Sequence, residues 1–244
     1  MRDIRVFTDQ PLTPDTEIVL EDNIAHHLTV VLRLKAGTGI VLFNGTGGEY
    51  HAILGQVTGK QTRVLITGFT ETSRESPLYI SLGIGLSRGD RMDWVIQKAT
   101  EVGVAEITPL FTARSEVRLK GDRADKKNRH WRKIAINACE QCYRNIPPII
   151  NAPTSPDLWF QSLATDKKLV LHHRSEKTVT DLRNQQVNST ALLIGPEGGL
   201  TDAEISSSLH SGFEPLTIGP RVFRTETAPI VAITLLQSLW GDFS

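Results

Sequence analysis

The sequence predicts a small all-β domain followed by an α/β domain on a mostly parallel sheet, and three observations carry that prediction. Residues 4–70 break into short β-patterned runs between turn residues, residues 71–77 are polar and end in Pro77, and beyond them apolar strands alternate with helically spaced segments. We therefore divide the 244 residues into 1–72 and 73–244, two domains of ordinary size. Hydrophobic residues at 39% and charged residues at 22% match a folded globular protein and exclude a disordered, collagen-like or coiled-coil chain. The longest apolar-rich run, 228–236, contains Pro229 and Thr234 and falls well short of the roughly 20 residues that cross a bilayer. The first ten residues lack the apolar segment of a secretory signal, and two cysteines cannot build a disulfide framework, so a cytoplasmic location is expected.

Strands are expected at 18–20, 39–43, 49–57 and 63–69, with Asn44-Gly45 and Gly47-Gly48 as turns, which makes a small β-barrel or sandwich. Residues 23–34 interrupt it as an amphipathic stretch with Ile24, Leu28, Val31 and Leu34 on one side. His26 and His27 lie there without a cysteine or carboxylate at ligand spacing, so no metal is expected. In the second part, strands are expected at 78–85, 104–110, 168–172, 191–194 and 215–218. Helices are expected at 90–102, 131–142, 179–185, 202–209 and 228–240. The last helix is apolar nearly all round, which suggests burial on several sides and a subunit interface.

The formal net charge of zero hides a pattern. Residues 76–150 carry 13 basic against 8 acidic side chains, and within them 114–133 holds nine basic and three acidic. That density suits a phosphate backbone and equally suits a solvated surface.

Three motifs invite a chemical reading. Gly83-x-Gly85-x-x-x-Gly89 follows a strand and opens a helix, but its spacing is one residue too long for a dinucleotide fingerprint, and no acid follows to hold a ribose. Close packing and a turn account for it better. Cys139 and Cys142 lie late in an amphipathic helix, with Cys142 on its apolar face, which favours packing over redox or zinc chemistry. The third motif is the informative one. A buried strand runs into Gly195-Pro196-Glu197-Gly198-Gly199-Leu200, followed by a capping box with Thr201 as N-cap and Glu204 at N3. About twenty residues later a second strand opens into Gly219-Pro220-Arg221-Val222-Phe223-Arg224-Thr225-Glu226-Thr227 before the apolar helix. Two such loops after parallel strands can face each other across one ligand pocket.

These loops resemble the signature pair of the small-subunit ribosomal RNA uracil-N3 methyltransferases, the E-type family of the SPOUT superfamily. The resemblance covers nearly the whole chain, in the order His27-Leu28 to Leu34, Phe43-Asn44-Gly45, Asp90-Arg91-Met92-Asp93-Trp94 to Val104, and Ala138-Cys139-Glu140-Gln141 to Pro147. Departures are mild: Phe223 and Val102 stand where Leu is usual, and Cys142 where Ser is common. The resemblance implies a PUA-like β-barrel at the N-terminus and a SPOUT-type α/β knot, a deep C-terminal trefoil knot on a mostly parallel sheet. It also implies a homodimer, with S-adenosylmethionine held in a bent pose largely by backbone groups.

Carried onto this chain, the cofactor pocket comprises Leu171 and His172; Ile194, Gly195, Pro196, Gly198 and Gly199; and Ile218, Gly219, Pro220, Arg221, Val222, Phe223, Thr225, Thr227 and Ala228. The expected reaction is methylation of N3 of a uridine in 16S rRNA of the small subunit. Uracil N3 must lose a proton to attack, so Arg224 is the candidate for stabilising charge on the uracil oxygens, and Glu197 or Glu226 for accepting the proton or positioning. Glu226 has a plainer reading as the cap of the last helix, and Glu197 as an ordering group of its loop. Arg33, Arg88, Lys98, Arg114, Arg118, Lys120, Arg123 and Arg144 are the candidates for gripping RNA, with Lys98 and Arg144 nearer the target. A transferase acting on tRNA or 23S rRNA, a non-catalytic rRNA-binding assembly factor and a nucleotide-dependent oxidoreductase are the rival readings. The assembly factor has no use for two convergent glycine loops, and the oxidoreductase needs the Gly83 region to bind a pyrophosphate.

Overall fold

The computed structural model describes residues 3–58, 61–115, 117 and 119–243, so Arg118 lies outside the described residues. The chain forms two compact units: Met1–Glu75 with Cys139–Pro147, and Ser76–Ala138 with Pro148–Ser244.

In the first unit β1 (Arg5–Phe7), β2 (Glu17–Val19), β3 (Gly39–Phe43), β4 (Glu49–Thr58) and β5 (Gln61–Thr70) pair in the order β1-β3-β4-β5-β2. Only β1 and β3 run parallel. Alternation along the strands sends Ile40, Leu42, Ala52, Leu54, Val64 and Ile66 to one buried face, where Leu20 and Leu28 join them. The stretch expected as one amphipathic element divides into α1 (Asp22–His26) and a π-helical turn, His27–Val31. The wide turn closes through Leu32 N donating to His27 O at 2.9 Å. Leu28 turns inward, and Val30 and Val31 remain exposed.

The segment Cys139–Pro147 packs with β1 in this unit. Buried Arg5 donates from Nη1 to Glu49 Oε1 at 2.7 Å and from Nη2 to Asn145 Oδ1 at 2.5 Å, while Phe7 N donates to Glu140 Oε1 at 3.1 Å. Burial pushes the Glu140 carboxyl above its ordinary value, against that backbone hydrogen bond and the charges of His27 and Arg5. Arg144, expected nearer the target, is drawn into an ion pair. It is 6% exposed and donates from Nε and Nη2 to Glu75 Oε2 at 2.9 and 2.5 Å, so its charge is paired within the fold. Cys139 is buried, and a hydrogen bond with Cys142 together with burial pushes its thiol far up, as suits a packing residue.

In the second unit β6 (Tyr79–Gly85), β7 (Glu106–Leu110), β8 (Ile149–Ile150), β9 (Lys167–Leu171), β10 (Ser189–Ile194) and β11 (Glu214–Leu216) form one sheet, ordered β11-β9-β10-β6-β7-β8. Every pairing in it is parallel. The strands bury both faces. Leu192 and Ile194 pack with Leu82, Ile84 and Leu169 on one side, and Ala191 and Leu193 with Trp159, Phe160 and Phe213 on the other. Around the sheet run α2 (Asp90–Glu101), α3 (Asp122–Cys142), α4 (Pro156–Ser162), α5 (Asp202–His210) and α6 (Thr227–Trp240).

Sequence periodicity missed β1, β8 and α4, because three-, two- and seven-residue elements are too short to show a period. It also started α3 nine residues late. The first turns of α3 are charged or polar apart from Ala124, and they stand on helix propensity with Asp122 and Asp125 in the first turn. The helix expected at 179–185 is a single 3₁₀ turn, Val179–Leu182.

Candidate active site

Because β9, β10 and β11 are parallel neighbours, their C-terminal ends and the loops that follow lie along one edge of the sheet. The first loop, 195–201, joins β10 to α5, and the second, 217–226, joins β11 to α6. With the end of β9 they enclose a cavity of about 790 Å³. Leu171, His172, Ile194, Gly195, Pro196, Gly198, Gly199, Ile218, Gly219, Arg221, Val222, Phe223, Thr225 and Ala228 line it, together with Glu197, Arg224 and Glu226. Pro220 and Thr227 do not. Arg91, His173, Arg174 and Asp202 also line it and were not anticipated as site residues. Their strands become neighbours only through pairing across the sheet, which local sequence does not reveal.

The first loop is held from every side. Gly199 N donates to Pro196 O at 2.7 Å, and Arg114 Nη1 donates to Gly198 O at 2.8 Å and to Leu200 O at 3.3 Å. The capping box forms as expected, with Glu204 N donating to Thr201 Oγ1 at 3.2 Å and Thr201 N donating to Glu204 Oε2 at 2.8 Å. Glu204 Oε1 also accepts from Ala113 N at 2.7 Å. A Cβ on Gly195 would stand 2.8 Å from Leu200 N, so only glycine allows the loop to fold back this tightly. A Cβ on Gly85 would stand 2.4 Å from the Pro196 ring, and one on Gly83 would strike Trp159. The glycine-rich end of β6 is therefore a packing surface for the first loop, and it cradles no pyrophosphate.

Glu197 accepts from Arg91 Nη1 at 2.6 Å. Partial burial pushes its carboxyl up, but its own backbone N–H, Arg91 and the backbone N–H of Arg88 outweigh that and hold it below the ordinary range. Burial and the charges of His173 and Arg174 push His172 down, so it is neutral at pH 7. Arg224 is exposed at the cavity, and its carbonyl accepts from Thr227 N and Ala228 N, both at 2.9 Å. Its guanidinium has no ion-pair partner among the described residues. Glu226 is the N-cap of α6 without a side-chain capping hydrogen bond, so its carboxylate is not consumed by the helix.

The remaining basic candidates are dispersed. Arg33 is exposed in a left-handed conformation, φ 53°. Lys98 is paired with Glu101 at 2.9 Å, and Arg88 is exposed beside the first loop. Arg114 belongs to the cavity. Lys120 and Arg123 are exposed, and Arg123 begins an outward stripe on α3 with Lys126, Arg129 and Lys133 at helical spacing. On the inward side, Asp93 lies 2.6 Å from His130 Nε2 and accepts from Trp131 Nε1 at 3.0 Å and Lys127 Nζ at 3.5 Å, which binds α3 to α2. Among the described residues no cluster of three metal-ligating side chains occurs, and no helix is long and apolar enough to cross a membrane.

Residues 74–237 match the family described as RNA methyltransferase domain, and residues 20–66 the RNA methyltransferase PUA domain. The chain is 36% identical over 240 residues to ribosomal RNA small subunit methyltransferase E of Buchnera aphidicola subsp. Acyrthosiphon pisum, covering 98% of this chain and 94% of that protein. It is 34% identical to the Bacillus subtilis protein of the same name, covering 87% and 86%. A Legionella pneumophila protein solved with S-adenosylmethionine superposes with a TM-score of 0.95 at 42% identity, covering 99% of this chain and 100% of that one. Ribosomal RNA small subunit methyltransferase E of Neisseria gonorrhoeae, also bound to S-adenosylmethionine, gives 0.92 at 34% identity and full coverage of both chains.

Proposed function

The chain belongs to the ribosomal RNA small subunit methyltransferase E family, and from that premise we propose that it methylates N3 of a uridine in 16S rRNA, using S-adenosylmethionine in the two-loop cleft. The α/β domain is of SPOUT type and the N-terminal domain PUA-like, as the sequence resemblance implied. The observation that carries the reading is the convergence of both glycine-bearing loops on one cavity at the C-terminal ends of β9, β10 and β11.

The cleft fits the cofactor. Leu171, Ile194, Ile218 and Ala228 offer apolar surface to an adenosine, and the close-folded loop at Gly195 brings backbone polar groups to the wall. When bound, the cofactor supplies an electrophilic methyl group on a sulfonium. The protein must then align the uracil, draw off its N3 proton and support the resulting negative charge. Arg224, exposed at the cavity and without an ion-pair partner among the described residues, faces the charge that spreads to the uracil oxygens. Of the two carboxylates, Glu197 is hydrogen-bonded to Arg91 and held below the ordinary range, which makes it a weak base. Glu226 takes the role of proton acceptor: the N3 proton passes to its carboxylate, and the N3–methyl bond forms as the methyl–sulfonium bond breaks and its electron pair leaves with sulfur as a neutral thioether.

The stripe Arg123, Lys126, Arg129 and Lys133 is the proposed grip on rRNA phosphates, a rail about 15 Å long by helix geometry. A homodimer fits the half-buried apolar residues Ile230, Val231 and Leu235 of α6. A cytoplasmic location follows from a ribosomal substrate.

The test is transfer of labelled methyl from S-adenosylmethionine to small subunits from cells lacking this modification, followed by nucleoside analysis. Label as 3-methyluridine is expected. Arg224→Ala should lower turnover about a hundredfold or more with cofactor affinity unchanged, as for loss of an oxyanion donor. Charge reversal of the α3 stripe should raise KM for the subunit and leave cofactor affinity intact. Cofactor binding with no label on small subunits would redirect the search to tRNA and 23S rRNA, and absent cofactor binding would overturn the cleft assignment.

A further inference from the structure

We infer that Arg91 is a positioning residue that clamps the two cleft loops to each other, through Glu197 of the first and Glu226 of the second. The inference rests on the two-loop cleft being the cofactor site. Arg91 comes from neither loop; it is the second residue of α2, on the connection that follows β6. Its Nη1 donates to Glu197 Oε1 at 2.6 Å, and its Nε stands 4.0 Å from Glu226 Oε2. One guanidinium thus meets one carboxylate from each loop, a task its planar fork suits and an ammonium does not.

The helix does not explain the residue. A cation in the first turn opposes the helix dipole, so Arg91 is unfavourable for α2 itself and its value lies in what it reaches. The surroundings make the same attachment twice more, since the backbone N–H of Arg88 also holds Glu197 and Gly85 leaves room for the Pro196 ring. The β6–α2 connection is therefore a fixed post against the first loop, and Arg91 extends it to the second. Without the guanidinium, the two carboxylates that line the same cavity lose the cation they share.

Pairs this exposed add little to global stability, so the clamp should register in loop geometry and ligand affinity while the melting temperature holds. Calorimetric titration with S-adenosylmethionine should give about tenfold weaker binding for Arg91→Gln than for wild type. Arg91→Lys should recover part of that loss. In a Glu197→Gln, Glu226→Gln background, Arg91→Gln should have almost no further effect, because the arms it joins are gone. An undiminished loss in that background would mean Arg91 acts directly on the cofactor, and unchanged affinity in the single variant would mean it acts on nothing here; either result overturns the clamp. Hydrogen exchange on the cofactor-free protein separates this inference from the function it rests on. Arg91→Gln should speed exchange in both 195–201 and 217–226. If wild type failed to bind S-adenosylmethionine, the assignment of the cleft would fall while faster exchange in both loops still upheld the clamp, and unchanged exchange would sink the clamp alone.

Discussion

The two loops of the cleft are built on opposite principles. The first, 195–201, is fixed by hydrogen bonds from Arg114 and Arg91, by an internal turn at Gly199, and by a capping box at its exit whose Glu204 also accepts from Ala113 N. The second, 217–226, is pinned at its ends. Thr217 N donates to Lys177 O, and the Arg224 carbonyl starts α6, but from Ile218 to Phe223 no backbone N–H has a protein partner among the described residues. Val222 within it is 78% exposed beside Arg221. The difference is one of order: the first loop is a preformed wall that a ligand in the cavity meets with little ordering cost, and the second keeps backbone donors and exposed side chains free to adjust to whatever the cavity holds.

The sharpest way to break that contrast is Gly195→Ala. The new Cβ meets backbone, at 2.8 Å from Leu200 N and 2.9 Å from Gly199 C, and backbone this constrained cannot give way. Overpacking of about 2–3 kcal/mol predicts S-adenosylmethionine binding roughly a hundredfold weaker by calorimetry, with global stability less affected because the loop is at the surface. An alanine tolerated at wild-type affinity would mean that the first loop is as adaptable as the second. Arg114→Ala should act in the same direction more gently. It removes two hydrogen bonds to loop carbonyls, both partly solvated, and the expected loss is about fivefold in cofactor affinity. If Arg114→Ala weakened only subunit binding, Arg114 would belong to the phosphate grip and not to the wall of the first loop.

Legibility in the sequence followed the same physics. The loops themselves were readable because their signals are local: glycines after an apolar strand, a Thr-x-x-Glu box, a proline that stiffens the turn. The paired carboxylates and Arg224 could be nominated from the same segments. What held the first loop in place was not readable, because Arg91, Arg114 and the Arg88 backbone arrive from segments that follow other strands, and pairing order across a parallel sheet leaves no mark on neighbouring residues. The basic run 114–133 illustrates the limit. As composition it is one patch, yet the helix sorts it by face, turning Lys127 and His130 to Asp93 and Arg123, Lys126 and Arg129 to solvent, while Arg114 is drawn to the cleft. Arg144 went the same way: a lone arginine in a polar flank gives no hint that Glu75 will close over it.

The smallest effect concerns acid, and its sign follows from Glu197. The folded carboxyl titrates below its unfolded value, so the stability it contributes to the first loop is fully present above the ordinary glutamate value of about 4.3 and is lost as pH falls through the lower folded value. Between pH 7 and 5 the Arg91 and Arg88 contacts therefore persist. Hydrogen exchange in 195–201, corrected for the intrinsic dependence on pH, should stay flat over that range. Glu197→Gln removes the charge at every pH, so its first loop should exchange somewhat faster than wild type, by the same factor at pH 7 and at pH 5. A rise in wild-type exchange already between pH 7 and 5 would show a carboxyl that its partners do not hold, and the first loop would then lose its claim to be the preformed wall.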